Sequence, residues 1–263
     1  MKRILLFVLL ATAVTAGADW RSITEGVEYR QIVRDGLDVH VTRIDLTNEE
    51  LRLVTTLASE KGLTVSEYAQ KAAALVAINA DYFDEQGDPI GLSAGACGVW
   101  AEPKPIRKQP VLMVGEGRAA IVPAGQKPES WVSGAVSGWP LLISGCKVIE
   151  TLPGSDFFTR APHPRTAVAL SENGETLYLV VADGRREGIP GPTLPELAVF
   201  LREELQACEA LNLDGGGSSA MWIEDRIVNQ PSDGVERKVG NHLAIIPSSA
   251  FEGCDERERL SKE

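Results

Sequence analysis

The chain has 263 residues, 44% of them hydrophobic, and a formal net charge of −11 at pH 7. This length and composition are typical of a globular chain that can bury a sizeable core. The acidic balance disfavours nucleic acid and anionic membrane surfaces as partners, and an anionic ligand would need locally concentrated arginines.

Residues 1–18 have the pattern of a secretory signal peptide. Lys2 and Arg3 precede an apolar run at 4–11, and the small residues at 16–18 resemble a signal-peptidase site. Cleavage after Ala18 or after Ala16 fits the pattern. No later apolar run approaches the length needed to cross a bilayer. The sequence therefore predicts export of the mature chain, to the periplasm or the extracellular space, without membrane insertion.

The first half of the mature chain has strand patterns and one short helix. Asp35-Gly36 separates two alternating runs, which predicts a hairpin. Thr64 or Ser66 is a candidate N-cap for a helix that reaches Ala74. Between residues 103 and 164 the many Gly and Pro residues favour short strands and loops, and no helix. The predicted strands in this half are 27–33, 37–46, 51–57, 75–79, 111–114, 119–122 and 141–143.

The second half contains the clearest helix. Thr193 and Glu196 form a Thr-x-x-Glu capping box, Pro195 lies in the first turn, and apolar residues recur on one face to about Ala207. Before it, the turn signal at 172–174 predicts a hairpin. The predicted strands in this half are 166–170, 176–182, 211–213, 221–223, 226–228 and 242–246.

These elements predict a single α+β domain over residues 19–250. It is a mixed, strand-rich fold with a few helices packed on a largely antiparallel sheet. A charged C-terminal tail follows at 251–263. The four cysteines lack C-x-x-C spacing, and in an exported chain they favour two disulfides, for which three pairings are open. They are Cys97, Cys146, Cys208 and Cys254.

The most informative motif is Asp214-Gly-Gly-Gly-Ser-Ser219, directly after an apolar run. Glycines permit positive φ and a close approach of the backbone to a bound group. Successive backbone N–H groups in such a turn can form a nest for an anion. A carboxylate beside an anion-binding loop indicates chemistry on a phosphorylated substrate. The alternative is a tight turn between two buried strands.

Three further strands end in polar residues beside small ones, where a rigid scaffold commonly presents side chains to a ligand. The segments are 78–83, 163–167 and 181–185. Together with the glycine motif they supply three acids, two arginines, an amide and several hydroxyls. The residues concerned in these three segments are Asn79, Asp81, Arg165, Thr166, Asp183 and Arg185.

These segments resemble the phosphodiester glycosidase family. The similar pieces are Ile-Asn-Ala-Asp-Tyr-Phe, Pro-Arg-Thr-Ala-Val, Val-Ala-Asp-Gly-Arg and, most specifically, Asn-Leu-Asp-Gly-Gly-Gly-Ser-Ser. A late segment, 236–241, resembles a further element of the family. The family often has glycines at positions 80 and 81, where this chain has Ala80 and Asp81. In order and spacing the resemblance covers residues 27–247.

The resemblance implies hydrolysis of a sugar-1-phosphodiester at the glycosidic C–O bond, on a cell-surface or exopolysaccharide-type glycan. A phosphate leaving group needs charge stabilisation more than a proton. Arg165, Arg185 and the backbone N–H groups of 215–217 could supply it. We expect Asp214 to act as base or to stabilise an oxocarbenium-like state, with Asp183 as second candidate. The residues expected to bind substrate are Asn79, Asp81, Arg165, Thr166, Arg185, Gly215, Gly216, Gly217, Ser218 and Ser219.

Two other functions fit the same residues. A non-catalytic module that binds phosphorylated glycans needs the arginines and the nest but not the acids. A phosphodiesterase that cuts the P–O bond would want a metal. Glycoside hydrolysis itself requires no cofactor here, although Asp84 and Asp88 could hold a divalent cation such as calcium. His163 and His242 lie near two of the marked segments and are candidates for proton transfer or for structural roles.

Overall fold

The computed structural model describes residues 19–104 and 108–254. The predicted signal peptide and residues 255–263 of the predicted tail lie outside the described residues. No helix within the described ranges is long and apolar enough to cross a membrane.

The described residues form short strands linked by turns, with three helices. The first strands are β1 (Arg21–Thr24), β2 (Val27–Arg34), β3 (Leu37–Asp45), β4 (Leu51–Thr55), β5 (Val76–Asn79), β6 (Ser93–Gly95), β7 (Gly98–Ala101), β8 (Val111–Gly115) and β9 (Arg118–Val122). The remaining strands are β10 (Gly134–Ser137), β11 (Leu141–Ser144), β12 (Lys147–Val148), β13 (Arg165–Leu170), β14 (Thr176–Ala182), β15 (Glu209–Asn212), β16 (Met221–Ile223), β17 (Arg226–Ile227) and β18 (His242–Pro247). The helices are α1 (Val65–Lys71), α2 (Asp156–Thr159) and α3 (Leu194–Glu204).

The strands assemble into three antiparallel sheets. The large sheet has the order β1-β2-β3-β14-β13-β15-β11-β12. The second sheet has the order β17-β16-β5-β18-β4, and the third has the order β7-β6-β10-β8-β9. The predicted strand-rich α+β fold with antiparallel pairing is confirmed, but three sheets share the strands that the sequence assigned to one.

The main core lies where all three sheets turn one face inward. Strand β14 shows the alternation that produces it, because Leu177, Leu179 and Val181 face this core while Tyr178 and Val180 face the opposite side. On that opposite side of the large sheet, α3 buries its apolar face. Helix α1 covers the outer face of the second sheet. The domain is thus layered around the inner faces of its sheets.

The helices match the sequence signals unevenly. Thr193 accepts a hydrogen bond from the Glu196 N–H, and the predicted capping box starts α3. The prediction of no helix between 103 and 164 is wrong at α2, where the Ser155 side chain caps a single turn. Four residues are too few for an apolar face to repeat, so no periodicity marks this helix.

Strand pairing brings the four marked segments to one edge. In the large sheet the start of β13 lies beside the ends of β14 and β15, since Arg165 pairs with Ala182 and Ala167 pairs with Asn212. The end of β5 in the second sheet lies beside the start of β18. The polar residues at these strand ends therefore meet where the two sheets adjoin.

Two disulfides close the fold, as the cysteine count predicts. Cys97 pairs with Cys254, and Cys146 pairs with Cys208. This resolves the three pairings that the sequence leaves open.

Leu213 connects the core directly to the site, so its packing can be tested by truncation. Its side chain is fully buried, and we expect Leu213→Ala to lower the free energy of unfolding by about 2–5 kcal/mol through lost burial and a cavity. Val33→Ala, at an exposed position, should change it by less than about 0.5 kcal/mol. Urea denaturation followed by circular dichroism measures both. A loss below about 1 kcal/mol for Leu213→Ala would contradict this packing.

Candidate active site

Asp214 stands at the centre of the site, just beyond β15. Its N–H donates to Ala80 O at 2.9 Å, and the Gly215 N–H donates to its Oδ1 at 3.0 Å. Burial raises the pKa of its carboxyl to about 6, although the nearby Ser218 hydroxyl, the Gly215 N–H and Arg237 favour the charged form. Asp214 is therefore ionised at neutral pH but close to its titration point.

Asn79 holds Asp214 in place from the neighbouring sheet. Its Nδ2 donates to Asp214 O at 2.7 Å, and its Oδ1 accepts from Thr166 Oγ1 at 2.9 Å and from the Ala220 N–H at 3.2 Å. Thr166 Oγ1 also lies 3.1 Å from Ser219 Oγ. The amide is fully buried with both ends engaged. Asn79 and Thr166 thus fix the backbone around Asp214.

Asp81 is a second carboxyl near Asp214, and it is almost completely buried. It interacts with Ser93 Oγ and accepts the Ser137 N–H, while its own N–H donates to Asn241 Oδ1 at 2.7 Å. Burial, together with the charge on Asp214, raises the pKa of Asp81 to about 8 despite these hydrogen bonds. Asp81 therefore keeps its proton at neutral pH while Asp214 is ionised.

The glycine loop has no room for side chains. An added Cβ at Gly215 would lie 2.8 Å from Pro164 O, and one at Gly217 would lie 2.2 Å from the Asp233 carboxylate. Gly216 has φ +64°, and its face lies against the Arg185 guanidinium. The three glycines are needed because backbone and charged groups approach from several sides.

Most backbone N–H groups of the glycine loop, which the sequence predicts to be free for an anion, donate to acceptors within the protein. The Gly215 N–H donates to Asp214, the Gly216 N–H donates to Pro164 O, and those of Ser218 and Ser219 close a 3₁₀ turn. Among the described residues, the Gly217 N–H has no acceptor. Ser218 Oγ is buried and likewise lacks a partner of ordinary geometry. The Gly217 N–H thus remains unpaired, while the Ser218 hydroxyl lies close enough to Asp214 to favour its charged form.

Arg185 is exposed and covers the loop at Gly216. Its guanidinium would lie 3.1 Å from a Cβ there, and its Nε lies 3.4 Å from His163 Nδ1. His163 Nε2 lies 3.0 Å from Phe157 O, so that a neutral His163 donates there and accepts from Arg185. Burial lowers the pKa of His163. Arg185 has φ +58°, in the left-handed region that is unfavourable for an arginine.

Arg165 lies behind Arg185 and is buried. Its guanidinium donates to three backbone carbonyls, those of Phe158, Ala161 and Pro192, at 2.9–3.2 Å. Burial lowers its pKa to about 10. It has no carboxylate partner among the described residues. Its uncompensated charge contributes positive potential beside Arg185.

Asp183 belongs to a separate buried network at the edge of the site. It accepts from Arg186 Nη2 at 3.0 Å and from Asn229 Nδ2 at 3.0 Å, and it lies 4.0 Å from His40 Nε2. Asp38, His40 and Asp183 bring potential metal ligands within 4.8 Å, but Arg186 donates to both carboxylates and takes the position of a cation. Asn229 connects Asp183 to the glycine loop, because its side-chain amide donates both to Asp183 and to Ser219 O.

The other singled-out residues have structural partners. Asp84 pairs with Lys104, and Asp88 pairs with Lys61, so each of these acids has a lysine partner. His242 stacks on a tyrosine ring and its Nδ1 lies 2.9 Å from Thr56 Oγ1; burial lowers its pKa to about 3. These contacts support a structural role for His242.

Sequence reasoning missed Arg237 and Asp233, which form an ion pair beside Gly217. It also missed Ser93 and Asn241. Ser93 interacts with Asp81, and Asn241 contacts both Asp81 and Ser93. The 236–241 segment resembles a family element, and that signal points to Arg237 and Asn241, which lie within it. Ser93 carries no such signal, because only the pairing of β6 with β10 places it near Asp81.

Comparison with known proteins gives a family and a fold. The sequence profile described as phosphodiester glycosidase matches residues 72–246. The N-acetylglucosamine-1-phosphodiester alpha-N-acetylglucosaminidase of Bos taurus is 29% identical over 249 residues, covering 84% of this chain and 45% of that protein. An SPbeta prophage-derived uncharacterized protein of Bacillus subtilis (strain 168) is 41% identical over 86 residues, which are 32% of this chain and 13% of that protein. The chain therefore spans less than half the length of these two relatives.

A solved structure shows the same fold. The catalytic domain of zebrafish N-acetylglucosamine-1-phosphodiester alpha-N-acetylglucosaminidase, auto-inhibited by its pro-peptide, superposes with a TM-score of 0.67 at 20% identity. The match covers 84% of this chain and 82% of that chain.

The coupling of the two carboxyls can be measured directly. We expect Asp214 to titrate near pH 6 and Asp81 near pH 8 in carbon-detected NMR of the side-chain carboxyls. Asp214→Asn should lower the pKa of Asp81, because it removes a neighbouring negative charge. Asp225→Asn, in an exposed turn, is the matched control and should leave it unchanged. An unchanged pKa of Asp81 in Asp214→Asn would show that the two groups do not interact.

Proposed function

The chain belongs to the phosphodiester glycosidase family, and from this membership we propose that it hydrolyses a sugar-1-phosphodiester at the glycosidic C–O bond. The observation that carries the proposal is the position of Asp214. Its carboxylate adjoins a glycine loop that Arg185 flanks on one side and Arg237 on the other. A carboxylate near a sugar and cations near a phosphate are the two elements that this reaction needs.

Asp214 acts on the sugar in this proposal. In its ionised form it accepts a proton from the attacking water, or it stabilises positive charge at the anomeric carbon. The water oxygen bonds to that carbon, the C–O bond breaks, and its electron pair stays on the phosphate oxygen. Because the leaving phosphate is already a weak base, a dedicated acid is not needed. Asp81 remains neutral and so adds no second negative charge near Asp214.

The phosphate occupies the cationic side of the loop. Arg185 is exposed, and its guanidinium lies over Gly216, so it can contact two phosphate oxygens. Arg165 adds positive charge behind Arg185, and the Gly217 N–H, which has no acceptor among the described residues, can donate to a phosphate oxygen. In this proposal Asn79, Thr166, Asp183 and Ser219 act as positioning residues. Their side chains are buried and engaged with protein groups.

We also propose that the protein is exported and that its substrate is a cell-surface or exopolysaccharide-type glycan. Two disulfides in a chain of this size support an oxidising compartment, since cytosolic proteins rarely keep them.

The position of bond cleavage tests the reaction type. Purified protein is incubated with a synthetic N-acetylglucosamine-1-phosphate diester in oxygen-18 water, and the products are weighed by mass spectrometry. Label on the sugar is the expected result, because water attacks the anomeric carbon. Label on the phosphate would overturn the proposal in favour of a phosphodiesterase. A parallel reaction with chelator then shows whether P–O cleavage depends on a metal.

The role of Asp214 predicts a defined pH dependence. A carboxyl with a pKa of about 6 is ionised above that pH, so kcat/KM should fall about tenfold per unit as the pH drops below 6. Asp214→Asn should lower kcat/KM by about a thousandfold while the fold stays intact by circular dichroism. Asp225→Asn is the control. Turnover like the wild type in Asp214→Asn would refute the assigned role. Unchanged or tighter glycan binding by this variant, without turnover in the wild type, would indicate a binding module.

A further inference from the structure

Asp233 places a second carboxylate at the glycine loop, and the proposed reaction gives it no role. The atoms nearest to an added Cβ at Gly217 belong to Asp233 and Arg237. These two side chains form an ion pair, in which Arg237 Nη2 and Nε lie 2.5 and 3.1 Å from Asp233 Oδ2. Although this oxygen adjoins Gly217, it does not accept the Gly217 N–H, which has no acceptor among the described residues. The loop therefore has a free donor with a negative charge beside it.

The segment that carries Asp233 is anchored on both sides. Before it, the side-chain amide of Asn229 donates to Ser219 O at 3.1 Å. After it, the Glu236 carboxylate accepts the Ser66 N–H at 2.9 Å, at the start of α1. Because these anchors hold the segment against the domain, the Asp233 carboxylate stays at the loop. A ligand that binds there meets its charge without any cost for ordering the segment.

The charges at the loop match a monoanion better than a dianion. Three arginines at the site, Arg165, Arg185 and Arg237, are positive, and two carboxylates, those of Asp214 and Asp233, are negative. The arginines therefore exceed the carboxylates by one charge. A phosphodiester has a single negative charge, which this excess neutralises. The phosphomonoester that C–O cleavage releases carries about two negative charges at neutral pH, more than the excess can neutralise.

We propose that Asp233 makes the site selective for ligand charge, so that it accepts monoanionic phosphodiesters and disfavours dianionic phosphomonoesters, the reaction product included. The inference rests on the proposed function, which places the phosphate at Gly216 and Gly217. There a second negative charge on the phosphate is repelled by Asp233, whose partner Arg237 is already engaged. During cleavage positive charge develops on the sugar as negative charge develops on the phosphate. Asp233 therefore acts less on the transition state, in which both charges are present, than on the separated product.

Binding of two small phosphates tests this charge preference without turnover. Dimethyl phosphate is a monoanion, and methyl phosphate is largely a dianion at about pH 7. Titration of each into nitrogen-15-labelled protein, followed by NMR at the Gly217 N–H, measures binding at the loop and shows that each variant is folded. We expect Asp233→Asn to bind methyl phosphate about three- to tenfold more tightly and dimethyl phosphate less than threefold more tightly, because repulsion grows with ligand charge. Asp233→Glu should keep the wild-type preference, and Asp225→Asn, in an exposed turn, is the matched control.

The outcomes separate a charge effect from a structural one. If Asp233 only held Arg237 in place, Asp233→Asn would bind both phosphates more weakly, and that result would overturn the inference. It would also be overturned by equal gains for both phosphates, by no gain for either, or by a wild type that binds neither.

Inhibition by product connects the inference to the reaction. With the methyl diester of N-acetylglucosamine 1-phosphate as substrate, we expect methyl phosphate to inhibit Asp233→Asn about three- to tenfold more strongly than the wild type, while kcat/KM changes less than threefold. Equal inhibition of both proteins would contradict selection against the product. If the wild type does not cleave the diester, the proposed function fails, and the NMR titration alone decides the charge preference.

Discussion

The side-chain amide of Asn79 is the interaction on which the site depends. It ends a strand of the second sheet, yet it binds the backbone of Asp214 and the hydroxyl of Thr166, which follow or begin strands of the large sheet. A buried amide has a fixed number of donors and acceptors, and each lost bond would leave a polar group unpaired in the core. The relative position of the two sheets and the position of the central carboxylate are therefore set by the same few hydrogen bonds.

This constraint lets neighbouring carboxyls differ in charge. Asp81 follows Asn79 by two residues, and the backbone of Asp214 is held by the Asn79 side chain. The first is enclosed by Ser93, Ser137 and buried backbone, and the second borders the glycine loop. Burial raises both pKa values, but unequally, so that one acid stays protonated where the other is ionised. The Arg185 guanidinium lies against Gly216, two residues beyond Asp214, so that a positive charge covers the loop that starts at the ionised carboxylate.

The sequence predicted what depends on nearby residues and missed what depends on distant ones. Helix α3 was located because its cap and apolar face lie within a dozen residues, although it ends at Glu204 and not near Ala207. The ends of β5 and β14 were located because their apolar runs stop at polar residues. The glycine loop was identified, but the partner of the Gly216 N–H is Pro164 O, which only the β13 pairing supplies. The orientation of Arg165 depends on the carbonyls of the one-turn helix α2, which has no periodicity. The division into three sheets depends on pairing between short strands such as β6 and β10, whose sequences carry little register information.

The disulfide between Cys97 and Cys254 has a consequence for how the chain withstands proteolysis. It joins a turn in the first half of the domain to the last described residue, and the bond between Cys146 and Cys208 lies inside the loop so formed. A protease that cut one exposed turn anywhere between residues 97 and 254 would leave two pieces still covalently attached. Because all three sheets include strands from this interval, a nicked molecule would keep its strands at high local concentration and could re-form its pairings.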